Sequence, residues 1–255
     1  MQIGLGISPT QPYGVAVPAF TPASISGLQL WLDASDASTL FTDSAGTTAA
    51  TADGDPIGCW KDKSGNNKNA TQTDGTRKPL LKTSIQNGRS VCRFDSVNDA
   101  FSLVSITQQT PSYVYAVVRM NSMTGGYRNL LNRTATSAPY SPALYLSADG
   151  NPLVPSIYWG SDNSGNLLYS TTLSQAPHIV AFRIDLGSIG ITVDSGSEQV
   201  RTHPQTVLTS WSTVSAPSGQ VLNGDICELL LYNSTINSTQ NSTIMNYLNT
   251  KWGVY

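Results

Sequence analysis

Gly224–Tyr255, GDICELLLYNSTINSTQNSTIMNYLNTKWGVY, reads as a strand, a capped helix and an aromatic tail in immediate succession. Ile226, Glu228 and Leu230 alternate with Cys227, Leu229 and Leu231. Both period-2 faces are therefore apolar apart from one carboxylate, the pattern of a strand buried on both sides. Asn233 breaks that ladder. Asn237, followed three residues later by Gln240, has capping-box spacing, and Ile244, Tyr247, Leu248 and Trp252 recur at helical intervals up to Gly253. The spacing predicts the one substantial helix of the chain.

Outward from this stretch, the 255-residue chain has the texture of short strands and polar turns. Only 12% of residues are charged, and glutamate occurs only as Glu198 and Glu228, so strong helix formers are scarce. SYVYAVVRM (112–120) is β-branched and aromatic on both faces and reads as the central strand of a covered sheet. Upstream, LQLWLDASD opens the globular part at Leu28, CWKDKSGNN turns tightly at Asp62–Gly65, and VCRFD and SVNDAFSLV form two strands around Asn98–Asp99. Downstream, RNLLN, ALYLSA, SIYWG, LLYST, HIVAFRID, IGITVD, EQVRT and TVLTS are each bounded by turn residues.

Strands at this spacing, with one late helix, predict an all-β antiparallel jelly-roll β-sandwich over 25–255. Its core is expected from Trp31, Phe94, Val114, Ala116, Val118, Ile179, Ala181, Phe182, Leu229, Leu231 and Leu248.

Residues 1–24 read differently. Pro9, Pro12, Pro18 and Pro22 with Gly4, Gly6 and Gly14 exclude a long helix and a central strand, leaving an extended N-terminal arm. Ordering it costs about 1–2 kcal/mol per residue. Its apolar residues Ile3, Leu5, Ile7, Tyr13, Val15, Val17 and Phe20 would balance that cost only when covered by a partner, so the arm is expected to attach the domain to an assembly.

A formal charge of -2 gives no global field for nucleic acid. The basic run from Lys61 to Arg93 is read as a solvated face, with contact to an anionic partner as the alternative. Cys59, Cys92 and Cys227 fit no zinc spacing and read as core thiols suited to a reducing cytoplasm. The N-terminus has neither a basic n-region nor a long apolar run, so neither a Sec signal nor membrane insertion is expected. The sequons at Asn69, Asn132, Asn233, Asn237 and Asn241 then carry little meaning.

LWLDASDASTL, CWKDKSGNNKNA, GRSVCRFDSVNDAF, SYVYAVVRM, PHIVAFRID and GDICELLLYN leading to YLNTKWG together resemble the laminin G-like or concanavalin A-like jelly rolls. These are found in bacterial surface proteins and in bacteriophage virion proteins. Ser96 departs from the glycine common at that position. A Pro/Gly arm before LWLDASD is similar to small phage structural proteins. The resemblance implies a virion-associated structural protein, made in the host cytoplasm and displayed as a head or tail decoration or fibre. Other virion proteins, further copies of the chain and host surface glycans are the partners it implies. A bacterial carbohydrate-binding module is the alternative, and a glycoside-acting enzyme comes third.

The residues point the same way on chemistry. No E-x-D-x-x-E cluster and no G-x-S-x-G is present, Glu228 reads as a paired structural carboxylate, and His178 and His203 read as structural. The chain is therefore expected not to be an enzyme and to need no cofactor. Calcium is the metal its turns admit, with Asp62, Asn66, Asp95 and Asp99 as ligands among the Asx residues of two turns. For a glycan, Trp159, Tyr158, Trp211 and Tyr127 are the candidates, with Tyr140 beside them, since aromatic rings near turns stack on sugar faces.

Overall fold

The computed structural model describes residues 20–122, 126–132, 143–147, 154–158, 167–202, 210–216 and 219–255, without the side chains of 158, 167 and 168. The first strands are β1 (Leu28–Asp33), β2 (Leu40–Phe41), β3 (Cys59–Trp60), β4 (Ala70–Thr71), β5 (Leu80–Gln86) and β6 (Arg89–Asp95). Then come β7 (Phe101–Thr107), β8 (Ser112–Met120), β9 (Arg128–Asn132), β10 (Ala143–Ser147), β11 (Ser156–Tyr158) and β12 (Leu167–Leu168). The last are β13 (Pro177–Asp185), β14 (Ser188–Val193), β15 (Gln199–Thr202), β16 (Ser210–Val214) and β17 (Asn223–Tyr232), followed by helix α1 (Ser238–Trp252). The TVLTS stretch lies mostly outside the described residues.

Two antiparallel sheets form the sandwich. The first runs β15-β14-β13-β8-β17-β6-β5, with β1 also on β17, and the second runs β12-β11-β10-β9-β16-β7-β4-β3-β2. β17 pairs with β8 along one edge, while β6 and β1 share its other edge. That position explains why all of β17 but Asn223 is buried. A register shift between Ile226 and Glu228 alters the simple alternation: Ile226 joins Leu229 and Leu231 in the core between the sheets. Phe94 of one sheet meets Phe101 of the other edge-on at 6.0 Å, and Trp60 packs on Phe101 at 6.2 Å.

A second apolar layer lies on the outer face of the first sheet. There α1 sets Ile244, Met245, Leu248 and Trp252 against Tyr115, Val117, Cys227, Leu230 and Tyr232. The helix begins where the sequence places it. Asn237 and Gln240 form the reciprocal capping box, and Gly253 ends the helix in the left-handed conformation with φ 62°. All three cysteines are free and buried. Trp31 departs from the expected core list. It is half-buried, with its indole N–H on Glu228 at 2.7 Å and the Lys63 ammonium 4.3 Å from its ring.

Phe20 and Pro22, assigned to the arm from the sequence, contact the domain. Pro22 is buried and its carbonyl accepts the Tyr232 hydroxyl at 3.0 Å, while Phe20 is half-buried with its ring 5.5 Å from that of Tyr247. Phe20 thus packs on the domain rather than standing off it. Ile3, Leu5, Ile7, Tyr13, Val15 and Val17 lie outside the described residues.

Candidate functional site

On the outer face of the first sheet, beyond the start of α1, a groove of about 240 Å³ is lined by Tyr113, Arg183, Thr192, Glu198, Ser238 and Asn241. Pairing puts its floor together. Tyr113 stands opposite Arg183 across β8 and β13, and Arg183 stands opposite Gly190 across β13 and β14. Thr192 lies two residues on from Gly190 and shares its face. Gly190 has a spatial role: a Cβ there would come within 2.1 Å of Glu198 Oε1. Its missing side chain lets Glu198 reach over β14 and accept the Arg183 Nε–H at 2.7 Å. Arg183 Nη1 donates to Ser188 at 2.8 Å.

From the helix side, Asn241 Oδ1 accepts the Tyr115 hydroxyl at 2.8 Å, which turns its amide N–H groups away from that contact. Arg183 Nη2, Glu198 Oε2, Asn241 Nδ2 and the hydroxyls of Ser238 and Thr192 have no hydrogen-bond partner among the described residues. Burial raises the Tyr113 phenol above its ordinary value, with Arg183 opposing, so it is a neutral hydroxyl at physiological pH. Donors, an acceptor and an aromatic ring thus converge from β8, β13, β14, the β14–β15 turn and the start of α1.

The sequence-derived ligand residues lie elsewhere. Trp211 is corrected outright: it is fully buried in the inter-sheet core and presents no face to a ligand. Tyr127 is half-buried with its ring 5.2 Å from Tyr145, whose hydroxyl donates to Gln220 at 2.9 Å. Burial pushes the Tyr145 phenol up to about 12. Tyr158 pairs with Ala143 in the same sheet, and Trp159 and Tyr140 lie outside the described residues. Beside Tyr145 in this row, the Asn129 amide and the Ser156 hydroxyl are fully buried with no hydrogen-bond partner among the described residues.

The Asx turns serve structure. Asp62 accepts Trp31 N–H and Ser64 N–H on one oxygen and Ser64 Oγ–H and Lys68 N–H on the other, all at 2.7–2.9 Å. Asn66 donates to the Leu28 carbonyl at 2.9 Å. Asp95 and Asp99 belong to the β6–β7 turn, where Asp99 accepts the Asp95 N–H at 3.0 Å. Among the described residues no three His, Cys, Asp or Glu side chains group as metal ligands. The basic run is largely occupied within the fold: Lys63 on Asp33 and Asp36, Lys82 on Asp53, Arg93 on Asp225.

Two clusters take their members from separate elements and turns, so the sequence alone did not name the partners of Glu228 or of His178. Glu228, fully buried, accepts Trp31 Nε1–H, Tyr247 Oη–H, Lys251 Nζ–H and Trp252 Nε1–H at 2.7–2.8 Å, so no lone pair faces a substrate. His178 Nδ1 lies 2.7 Å from Asp194 Oδ2, and Nε2 lies 2.9 Å from Ser174 Oγ. This resembles a Ser-His-Asp triad in spacing. Nε2 also takes the Ser174 N–H at 3.0 Å, and Ala176 N–H donates to Ser174 Oγ at 3.1 Å, so the cluster closes the turn that enters β13.

No family model and no curated sequence matches the chain. Solved structures do. Domain 4 of AbnA, a GH43 extracellular arabinanase from Geobacillus stearothermophilus, in complex with arabinotriose, is similar with TM-score 0.60 and 13% identity, over 86% of this chain and 98% of that one. Trypanosoma rangeli sialidase is similar with TM-score 0.57 at 12% identity, and its complex with sialic acid with TM-score 0.58 at 15%, each over 89% of this chain. The chain spans about a third of the sialidase's length. At such identities the likeness is one of fold. It corrects one expectation: glycoside-acting proteins share this architecture, so the exclusion of enzymatic function read from the sequence is withdrawn.

Proposed function

We propose that the chain is a carbohydrate-binding β-sandwich that holds a sugar in the groove between β8, β13, β14 and the start of α1. The observation that carries this reading is the convergence of Tyr113 with five hydrogen-bonding groups that have no partner among the described residues, around one open 240 Å³ cavity. Sugars present an apolar ring face and a rim of hydroxyls that both donate and accept, and the groove offers a ring and both kinds of partner. Its volume lies below the roughly 300–1,000 Å³ of drug-sized pockets, the scale of one or two sugar rings. The fold supports the reading, since one similar domain was solved with arabinotriose and one similar protein with sialic acid. The sialidase's own activity is not carried over.

Display on a bacteriophage particle, with residues 1–24 as the attachment arm, is the setting expected from the sequence for such a module. Mass spectrometry of purified particles tests that setting. The binding itself is tested by a glycan array followed by titration of the best saccharide, with release of reducing ends measured in parallel. Loss of binding in Tyr113→Ala, with unchanged thermal unfolding, is expected; full binding by that variant would overturn the assignment.

A further inference from the structure

We infer that the groove selects neutral sugars and rejects carboxylated ones, because Arg183, the one cation among the described residues that line it, is already paired with Glu198. The inference rests on the carbohydrate reading of the same groove and names its ligand class. Arg183 is the residue that would recognise a sugar carboxylate, as guanidinium forks pair with carboxylates in two parallel hydrogen bonds. Here its Nε–H is taken by Glu198 at 2.7 Å and one Nη1 hydrogen by Ser188 at 2.8 Å, so the edge that pairs Nε with Nη2 is already shared with a carboxylate and the hydrogens left lie beside that negative charge.

The Glu198 side chain is 38% exposed and keeps Oε2 without a partner, so a negative charge faces the ligand. Asp185, close enough to act on Tyr113, adds to it. A second anion would have to lie beside these charges or displace Glu198. A neutral ring meets no such cost. One hydroxyl can donate to Glu198 Oε2 while its neighbour accepts from Arg183 Nη2, and a third can accept from Asn241 Nδ2. An adjacent pair of hydroxyls across the ion pair is thus the recognised feature. Gly190 maintains the arrangement by leaving the space that Glu198 crosses.

The experiment is isothermal titration of the full chain with arabinotriose, xylotriose and maltotriose as neutral probes, and with 3′-sialyllactose and trigalacturonic acid as carboxylated ones. At least one neutral probe is expected to bind tenfold or more tighter than either acidic probe, equivalent to about 1.4 kcal/mol. Glu198→Gln is expected to narrow that ratio to less than threefold by admitting the acidic sugars. Gly190→Ala, which pushes Glu198 off Arg183, is expected to weaken neutral binding at least fivefold. Tighter binding of an acidic probe to the unaltered protein would overturn the inference and leave the carbohydrate reading standing. An unchanged ratio in Glu198→Gln would also overturn the inference alone. Absence of binding by all five probes and by a glycan array would overturn both.

Discussion

Glu228 stands opposite Asp33 in the register that joins β17 to β1, and Lys251 from the helix bridges them at 2.7 Å and 2.8 Å. Burial raises Asp33, but Lys251, Lys63 and Ser35 outweigh it and hold the carboxyl below its ordinary range. Burial, then the facing Asp33, holds Glu228 above its own. The ammonium therefore fastens α1 to the sheet through two buried carboxylates. Lys251→Met is expected to destabilise the protein by about 3–5 kcal/mol, because it leaves the buried Glu228 without a cation, while Asp33 keeps Lys63. One carboxylate would then bind a proton more tightly folded than unfolded, so the deficit should shrink as pH falls from 8 to 5. Urea unfolding at both pH values checks this, and an equal deficit would contradict it.

Asp99 is buried beside Asp95, and burial first, then that neighbouring charge, pushes its carboxyl up to about 6 from an ordinary 3.8. A folded pKa raised above the unfolded one means stability that is present below about pH 4 and lost as pH rises through 6. Asp99→Asn keeps an acceptor for the Asp95 N–H and removes the charge. It is expected to stabilise the protein by about 1–2 kcal/mol at pH 7.5, allowing for solvent screening around exposed Asp95, and by nothing at pH 4. Denaturant unfolding that showed a loss at pH 7.5 would refute this.

Ser96 adopts φ 72°, the left-handed region, in the β6–β7 turn where glycine is common in the resembling family. Its N–H still bonds the Leu222 carbonyl at 3.0 Å, so the conformation is set by the fold and costs the serine side chain. Ser96→Gly should raise stability by about 0.5–1 kcal/mol. Differential scanning calorimetry would detect it, and a lowered melting temperature would count against the argument.

Much of this architecture was legible. Strand texture, the capping box at Asn237 and Gln240, the end at Gly253 and the central place of 112–120 all follow from local periodicity and cap chemistry. The phase of Ile226 was not, since a register shift is decided by the partner strand and leaves no mark on the alternation. The site was less legible still. Tyr113, Arg183 and Asn241 come from β8, β13 and α1 and Glu198 from the β14–β15 turn, and only strand pairing and the docking of the helix bring them to one face. Exposed-looking aromatics misled at Trp211, whose burial depends on the facing sheet rather than on its polar neighbours in sequence. The one signal available for the groove was the scarcity of glutamate, which makes Glu198 unusual in this chain.

Two truncations test the expectation of an N-terminal arm. Removing residues 1–19 is expected to leave the melting temperature unchanged. Removing 1–24 also takes Phe20 off Tyr247 and strands the buried Tyr232 hydroxyl, a loss of about 1–3 kcal/mol and several degrees of melting temperature. Identical melting of the two truncated proteins would show that Phe20 and Pro22 contribute nothing to the domain.

The central claim is that the groove beside the start of α1 is where sugar binds. Chemical-shift mapping of the isotope-labelled chain during titration with the tightest-binding neutral saccharide tests it most directly. The account predicts that the largest shifts fall on Tyr113, Arg183, Thr192, Glu198, Ser238 and Asn241, including the Arg183 Nε–H. Saturable shifts gathered instead around Tyr127, Tyr145 and Gln220, with the groove silent, would contradict it.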